Sequence, residues 1–460
     1  MEVKAKLTSK DEKFLEMSLN EKMWKVVLHV GTPLAFYHLL SGIFSILDTM
    51  MAAHISKESV SAVAYLSQLQ LLLSALGGGL AVGASIQISR AFGKGDFAMV
   101  KKRVSSLYIM CLSLGIFMLV AILPFTGKFL KLAGTPDALI AVGTNYFAVQ
   151  LITLVFTFLN NVYIAVERAR GNAKLIFRLN FMVIVTKLVL TAYFVYIIKG
   201  DLVMIAIASL ISQFLLLIFA IKNSLKAEQA FGFSLNAVSK EKEVVMPMIS
   251  SGLPVIAQKS LFAFGKAIVN SMCTVYGDLM VGAMGVSNNL GGITTNPQNG
   301  YEDGTASIIS QNLGAKKYQR VLDAFYATLI INVIIGAVIS ALEMWQVDAL
   351  ASLFDSGSPE FHEMIVMVYR FEVIGAVPLG INAAVMALLY GLGKTKLNMV
   401  INLSRVFLFR IPVFWFLQNF TNFGQLTAGI VMMISNVAVT IMSIIIAIIV
   451  IRNFKKEYIY

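Results

Sequence analysis

Glu302 and Asp303 are adjacent carboxylates in the stretch "NGYEDGTASIISQNLGAKK", which otherwise reads as a membrane-embedded segment. Consecutive residues of a helix point about 100° apart, so we expect the two side chains to meet different neighbours. Two carboxylates this close together do not both ionise cheaply. A carboxyl group that titrates near physiological pH beside a basic competitor is what a proton-coupled carrier needs. The pair therefore predicts a proton-coupling site.

Other ionisable residues also fall inside predicted membrane spans, where they are costly and are candidates for function. The first half has Asp48, Lys187 and the neutral His38, whereas the second half collects charges of both signs. For the second half we predict a charge network. Its basic members are Lys259 and Arg410, which lie nearest to the acids in depth within the membrane. The network consists of Lys259, Glu302, Asp303, Glu372 and Arg410. The alternative is a static ion network that only holds helices together. Glu343, near the outer end of its span, is predicted to be interfacial.

The elements that must carry these residues are transmembrane helices. The chain is 58% hydrophobic and 13% charged, against roughly 45–50% and 25% in soluble domains. Apolar runs of about 20 residues can cross a bilayer as helices, and no ten-residue alternation typical of a β-barrel is present. We predict an all-α polytopic protein with twelve spans, at 26–52, 60–86, 104–125, 137–167, 175–198, 201–222, 245–274, 279–312, 321–346, 358–390, 397–420 and 425–451.

The positive charges predict the orientation. With the N-terminus inside, 27 of the 37 lysines and arginines fall in cytoplasmic segments or in the span ends next to them, and only four fall in outer loops. This positive-inside bias explains the net charge of +12, so binding to nucleic acid is not needed to account for it. We expect an integral plasma-membrane protein with both termini cytoplasmic, a lead-in at 1–25 and a cytoplasmic linker at 223–244. Cys111 and Cys273 fall within spans and predict no disulfide framework.

The chain also repeats itself. A shift of 221 residues aligns Gly79 with Gly300 and Gly83 with Gly304, and the same shift aligns Pro33, in the first predicted span, with Pro254. Each half then has six spans that start from the cytoplasm, which predicts two pseudo-symmetric six-helix lobes at 26–222 and 245–460. Parallel repeats of this kind are typical of transporters, whose substrate site lies between the halves.

The twelve spans and the motifs "SILDTMMAAHI", "GGGLAVGASIQISRAFGKGD" and "NNVYIAVERARGNAK" resemble those of the multidrug and toxic compound extrusion (MATE) family, within the MOP flippase superfamily. The resemblance covers essentially the whole chain. It implies a V-shaped fold and the export of amphiphilic, usually cationic compounds. Uptake of protons or sodium ions would drive the export by alternating access.

The resemblance also implies an ion-coupling site in the first half. Asp48 occupies the position of the family's first-helix aspartate, and Asn160 or Asn161 stands where a fourth-helix polar partner is expected. The fifth helix departs from the family because Lys187 and Thr191 replace an Asn and an Asp. An ammonium group would repel a sodium ion at low dielectric. We therefore expect proton coupling rather than sodium coupling, and either Lys187 pairs with Asp48 or the coupling site has moved.

No motif for an enzyme or an ATP-driven pump is present. The expected partners are small amphiphilic molecules and membrane lipid, with no cofactor, no bound metal, no nucleic acid and a monomeric chain. A flippase for lipid-linked saccharides, or an exporter of anionic amphiphiles, is the rival within the same superfamily, because the spans carry more basic residues than a cation exporter requires. A membrane receptor or sensor is a more distant alternative, against which the whole-chain repeat argues.

Overall fold

A computed structural model describes residues 5–52, 57–226, 228–354 and 358–459, without the side chains of 45–50, 52, 57–65, 138, 142 and 278. In this described part, the chain forms seventeen α-helices. They are α1 Ser9–Asn20, α2 Met23–Ala52, α3 Lys57–Lys94, α4 Phe97–Ile122, α5 Thr126–Leu132, α6 Asp137–Ala169, α7 Ala173–Ala192, α8 Leu202–Ser224, α9 Lys242–Cys273, α10 Asp278–Gly314, α11 Tyr318–Trp345, α12 Val347–Ala351, α13 Pro359–Ile374, α14 Ala376–Gly391, α15 Thr395–Phe407, α16 Ile411–Phe420 and α17 Leu426–Tyr458. A π-helical turn, Tyr193–Ile197, continues α7.

Every one of the twelve predicted spans is helical, but two of them are broken. The tenth consists of α13 and α14, which bend by 45°, and the eleventh consists of α15 and α16. Pro378 stands near the start of α14, and Pro412 stands near the start of α16. Because proline has no N–H, neither residue can donate to the carbonyl four residues earlier, and each helix breaks there.

Nine helical stretches of the described residues are long and apolar enough to cross a membrane, and α13 with α14 make a tenth if the bent pair is one span. Two more predicted spans, α9 and α10, have 32 and 37 residues. They are long enough to cross a bilayer of about 30 Å at 1.5 Å per residue, but α10 in particular carries many Asn, Thr, Gly and acidic residues. These two polar helices hold several of the candidate site residues.

The chain divides into two compact units. The first consists of Met1–Met17 and Ile43–Ile256, and the second consists of Ser18–Gly42 and Ala257–Tyr460. In the first unit α6 packs against α3, α4 and α8, and in the second unit α10, α11 and α14 pack against one another. The divisions fall inside α1, α2 and α9 rather than between helices. The lobes predicted at 26–222 and 245–460 stay a prediction.

Glycines of the repeated motif make close helix crossings within each unit. In the second unit, a Cβ at Gly304 on α10 would lie 3.4 Å from the Cα of Gly31 on α2. In the first unit, a Cβ at Gly83 on α3 would overlap the backbone of Gly252 on α9. The shift of 221 residues relates these two pairs, because it carries Gly83 to Gly304 and Gly31 to Gly252. The repeat seen in the sequence is therefore also a repeat of contacts, of the small-residue kind that lets membrane helices approach closely.

The lead-in contains α1, which is fixed to the first unit by buried charges. The Arg170 guanidinium donates to Asp11 Oδ1 at 2.8 Å and to Glu167 Oε1 at 3.2 Å. Asn172 donates to the other oxygen of Glu167 at 2.6 Å. Asp11 and Glu167 are only 3% and 2% exposed, so each carboxylate depends on these donors. This is the structural role of the "ERARGN" part of the first-half motif.

Candidate ion-coupling site

Asp303 pairs with His38 in the second unit. The distance from His38 Nε2 to Asp303 Oδ2 is 3.2 Å, and the two side chains are 27% and 25% exposed. His38 lies on α2 and Asp303 on α10, so the pair joins two helices that cross at glycines. The histidine was visible in the sequence as a neutral in-span residue, but no sequence pattern indicated that it meets this carboxylate.

A second contact fixes the same crossing. Thr32 Oγ1 and Tyr301 Oη are 2.8 Å apart, and the Tyr301 ring lies against Gly31, which has no side chain to exclude it. Pro33 stands inside α2 between Thr32 and His38. The proline leaves a backbone carbonyl of α2 without its helical donor. The His38–Asp303 contact therefore lies beside a point where α2 is weakened.

Glu302 and Asp303 share a neighbour on α14. Glu302 acts electrostatically on Tyr390, as does Asp303 to a lesser degree. The Tyr390 hydroxyl donates to Gln258 Oε1 on α9 at 3.1 Å, next to Lys259, whose side chain is exposed. The acidic pair thus belongs to a polar group drawn from α2, α9, α10 and α14 within the second unit.

Glu372 and Arg410 belong to another buried group. Arg410, 2% exposed, donates to Ser435 Oγ at 3.0 Å and to Asn436 Oδ1 at 3.2 Å. Arg405 donates to the same Asn436 oxygen at 2.7 Å and 3.0 Å. Glu372 attracts both guanidinium groups electrostatically, although among the described residues it forms no salt bridge with either. Asn436 and Ser435, which the sequence analysis missed, are the acceptors here.

The first-half site is described only in part. Asn160 is 1% exposed, and its amide donates to Gln213 Oε1 at 2.8 Å and to the Gln213 carbonyl at 2.9 Å. In the described part of the chain, Asn160 Oδ1 and Thr191 Oγ1 are buried without a hydrogen-bond partner. Lys187 is half-buried on α7. The side chain of Asp48 lies outside the described residues, so its predicted pairing with Lys187 stays a prediction.

Two further in-span charges differ in exposure. The side chain of Glu343, which is predicted to be interfacial, is 3% exposed, and its depth in the membrane stays a prediction. Arg370, near the middle of the tenth span, is exposed and lines a cavity of about 460 Å³ with His362 and Phe371. Three or more His, Cys, Asp or Glu side chains do not come together as metal ligands anywhere in the described residues.

Comparison with known proteins identifies the family. The family model described as MatE matches residues 33–193 and 254–416, which together are more than half of the chain. The chain is 23% identical over 346 residues to "Probable multidrug resistance protein YoeA" of Bacillus subtilis, covering 73% of this chain and 74% of that protein. It is 24% identical over 324 residues to "Multidrug export protein MepA" of Staphylococcus aureus, covering 70% and 71%.

A solved structure has the same fold at 19% identity. It is a MOP superfamily transporter from Pyrococcus furiosus, with a TM-score of 0.91 over 98% of this chain and 99% of that one. Its description states that a reversed polarity of its binding pocket suggests a different function. The matched segments begin at the repeated prolines, Pro33 and Pro254, and each covers most of one half of the repeat. The chain therefore belongs to the MatE family, the multidrug and toxic compound extrusion transporters, and is an integral membrane transporter rather than an enzyme.

Proposed function

We propose that this protein exports amphiphilic, commonly cationic compounds in exchange for protons, by alternating access. It acts as a monomer in the plasma membrane, with both termini in the cytoplasm. The names of the relatives support drug-like substrates, since two of them are called multidrug resistance and multidrug export proteins. Its partners are the small-molecule substrate and membrane lipid, and no nucleic acid or cofactor takes part.

The His38–Asp303 pair is the observation that carries proton coupling. Histidine changes its charge near neutral pH more readily than any other side chain. Here it lies 3.2 Å from a carboxylate, inside a membrane protein where isolated charges are disfavoured. Both side chains keep about a quarter of their surface accessible, so a proton can enter and leave. The charges of a protonated His38 and an ionised Asp303 cancel, and the pair can also accept one extra proton.

The exchange of substrate for protons follows because both compete for the same negative charge. A cationic substrate is attracted to the acidic pair Glu302 and Asp303 when Asp303 is ionised. A proton taken up by the His38–Asp303 pair cancels the pair's negative charge and so weakens this attraction, and a proton on Asp303 itself also weakens the contact between α10 and His38 on α2. Because Pro33 weakens α2 nearby, we expect the helix to bend when this contact is released. Substrate release and the change of state are then driven by the same proton.

Lys187 is the reason to prefer protons over sodium ions in the first half. The family's cation cage would have to form beside its ammonium group. Asp48 then pairs with Lys187 rather than binding sodium, and Asn160 and Thr191 are the other polar residues of this site. We expect Asp48→Asn to abolish export driven by the gradient while the protein stays folded. Export at the wild-type rate by this variant would show that the first-half site is not used.

Transport by purified protein in liposomes tests the proposal. A proton gradient and a sodium gradient are imposed separately, and efflux of the amphiphilic cation ethidium is followed by fluorescence. We expect the proton gradient to drive transport. His38→Ala and Asp303→Asn should each lower the proton-driven rate by about tenfold or more.

Matched controls separate coupling from damage to the fold. His29 lies on the same helix as His38 and is exposed, so His29→Ala should transport normally. Asp323→Asn, at the start of α11, is the control for Asp303→Asn. Equal rates for His38→Ala and His29→Ala under a proton gradient would contradict the proposal, and so would transport driven by sodium alone.

Export of anionic amphiphiles, or flipping of lipid-linked saccharides, is the second candidate. The observation in its favour is the basic group of Arg405, Arg410 and Lys266 in the second unit, whose charges act on one another. A solved relative has a pocket of reversed polarity. The same liposomes test it with an anionic dye in place of ethidium. Efflux of the anionic dye alone would favour this candidate over cation export.

A further inference from the structure

Lys266, Arg405 and Arg410 form a basic group in the second unit with few acids to balance it. Lys266 lies on α9, Arg405 lies in the last turn of α15, and Arg410 directly precedes α16. Their charges repel one another. Glu372 on α13 is the one carboxylate that acts on all three in the described part of the chain. Because two arginines and one glutamate sum to +1, the group keeps a positive excess even when Lys266 is neutral.

Hydrogen-bond donors also outnumber acceptors in this group. The side-chain oxygen of Asn436 on α17 accepts from two nitrogens of Arg405, at 2.7 Å and 3.0 Å, and from one of Arg410, at 3.2 Å. An amide oxygen has two lone pairs, so three donors share an atom that has room for two. The other end of this amide, Asn436 Nδ2, is buried without an acceptor among the described residues. The group therefore has a surplus of donors as well as of positive charge.

The Nδ2 end of Asn436 faces the break between α13 and α14. A Cβ at Gly375, the residue between these two helices, would lie 2.5 Å from Asn436 Nδ2, so only glycine leaves this approach open. The helix α14 begins at the next residue, Ala376. The N-terminus of a helix carries a partial positive charge that favours an anion. The end of α14 thus adds to the positive excess.

Glu372 does not use up this excess by direct pairing. It attracts both guanidinium groups electrostatically, but it forms no salt bridge with either within the part of the chain described. Its Oε2 atom is buried and accepts no hydrogen bond from a described residue. In a static ion network a carboxylate meets guanidinium donors directly, often through two parallel hydrogen bonds. The arginines instead share an amide oxygen, which carries no charge to neutralise them.

We propose that Lys266, Arg405, Arg410 and Asn436 bind one small monovalent anion, with chloride as its physiological form. Arg410 and Asn436 are 2% and 0% exposed, so an anion among them is largely removed from water and must be small. Lys266 and Arg405 are half-buried and leave a way in. A halide offers only acceptor capacity, which matches a group whose surplus atoms are donors. Buried charge is strongly disfavoured unless it is paired, and a single negative charge supplies the pairing.

A bound chloride changes what the basic group implies for transport. The positive excess around Arg405 and Arg410 is the observation that favours export of anionic amphiphiles. A resident anion balances this excess, so the same residues are then compatible with export of cations. This site goes beyond the proposed proton coupling and does not depend on it, because neither His38 nor Asp303 takes part.

Anion binding to the purified full-length protein tests the site. Bound ³⁶Cl⁻ is measured in a background of sodium gluconate, and thermal unfolding is compared in the chloride, bromide and gluconate salts of sodium at equal ionic strength. A ligand that binds only the folded state raises the Tm. We expect one chloride per chain, and a Tm that rises with chloride and bromide but not with the larger gluconate.

Variants identify the ligands. Arg405→Gln and Lys266→Gln should each weaken chloride binding by about tenfold or more. Arg452→Gln is the matched control, because Arg452 is an exposed arginine of α17, and it should bind chloride like the wild type. Asn436→Asp places a carboxylate where both guanidinium groups already donate. This variant should lose the response to chloride and should be at least as stable in gluconate as the wild type is in gluconate.

Glu372→Gln separates an anion site from a static ion network. It removes the one carboxylate that repels the anion, so chloride should bind several times more tightly. If Glu372 instead balances the arginines by itself, this variant should lose stability and chloride should not restore it, which would overturn the proposal.

Other results would also contradict the site. Equal Tm values in chloride and gluconate would show that the basic group needs no anion. Equal chloride binding by Arg405→Gln and Arg452→Gln would show an adventitious ion only. His38→Ala should lose proton-driven transport and keep chloride binding, so failure of the proposed function and failure of this site are distinguishable.

Discussion

At the scale of single residues, Arg170 shows how this protein buries charge. Its guanidinium lies between Asp11 and Glu167, both almost fully buried, and its side chain is only 14% exposed. The Arg170 guanidinium also lies 5.4 Å from the centre of the Phe231 ring. One cation thus pairs with two carboxylates and fixes α1 to the first unit. The loss of stability on removing Arg170 is set by the two buried carboxylates that would remain.

Arg170→Met should destabilise the protein strongly. Removing one member of a buried ion pair leaves an uncompensated charge, a loss of roughly 3–5 kcal/mol. The loss is measured as a lower Tm of the purified protein in detergent. Arg178→Met is the control, because Arg178 is exposed on α7 and should change stability by less than about 0.5 kcal/mol. Equal Tm values for the two variants would show that the three buried charges do not stabilise the fold.

The sequence located most charges of the candidate site but few of their partners. Asp303, Glu372 and Arg410 were recognised because a charge in an apolar run is conspicuous. Their contacts join distant parts of the chain: Asp303 meets a histidine 265 residues away, and Arg410 bonds to Asn436 on another helix. Polar residues such as Ser435 and Asn436 are common in helices, so the pattern alone did not distinguish them.

At the scale of helices, the crossings of α2 with α10 and of α3 with α9 depend on glycine. A Cβ at Gly300 on α10 would overlap the backbone of Ala35 and Leu34 on α2. The repeat partner, Gly79 on α3, stands in the same relation to Ile256 on α9, where a Cβ would lie 2.8 Å from the backbone nitrogen. Backbone atoms cannot rotate away as a flexible side chain can. Both crossings therefore exclude even a methyl group.

Gly300→Ala and Gly79→Ala should each destabilise the protein by about 1–3 kcal/mol, because overpacking forces the helices apart. Gly285→Ala is the matched control on α10. A Cβ at Gly285 meets nothing within 4 Å, so alanine there should stabilise the helix by roughly 0.5–1 kcal/mol. Thermal unfolding of the three purified variants gives the comparison. A Gly300→Ala protein as stable as Gly285→Ala would mean that the crossing tolerates a side chain.

The helices themselves were the most predictable feature, because apolar runs of membrane length leave little choice of structure. What could not be read from hydropathy was their interruption. Pro378 marks the 45° bend between α13 and α14, but Pro33, Pro254 and Pro297 lie inside continuous helices. A proline removes one hydrogen bond in either case, and the packing around it decides whether the helix breaks. The docking of α1 was also missed, since its partners lie on α6 and beyond.

At the scale of the whole molecule, the repeat constrains the topology. Each half contributes an equivalent first helix with a proline, Pro33 or Pro254, and an equivalent glycine-bearing second helix. If both halves start from the same side of the membrane, an even number of crossings lies between them. The segment 223–244 is then on the same side as the N-terminus. The excess of lysine and arginine at these segments predicts that this side is the cytoplasm.

Cysteine labelling in intact cells tests this orientation with little background, since Cys111 and Cys273 are both buried. Lys240 lies exposed in the linker and Lys128 lies exposed near the predicted outer end of α4. We expect a membrane-impermeant maleimide to label Lys128→Cys from outside, and to label Lys240→Cys only after the cells are permeabilised. The unmodified protein is the control and should stay unlabelled. Labelling of Lys240→Cys in intact cells would place the linker outside. The predicted topology would then be inverted, because the positive charges and the repeat predict the side of every other loop relative to the linker.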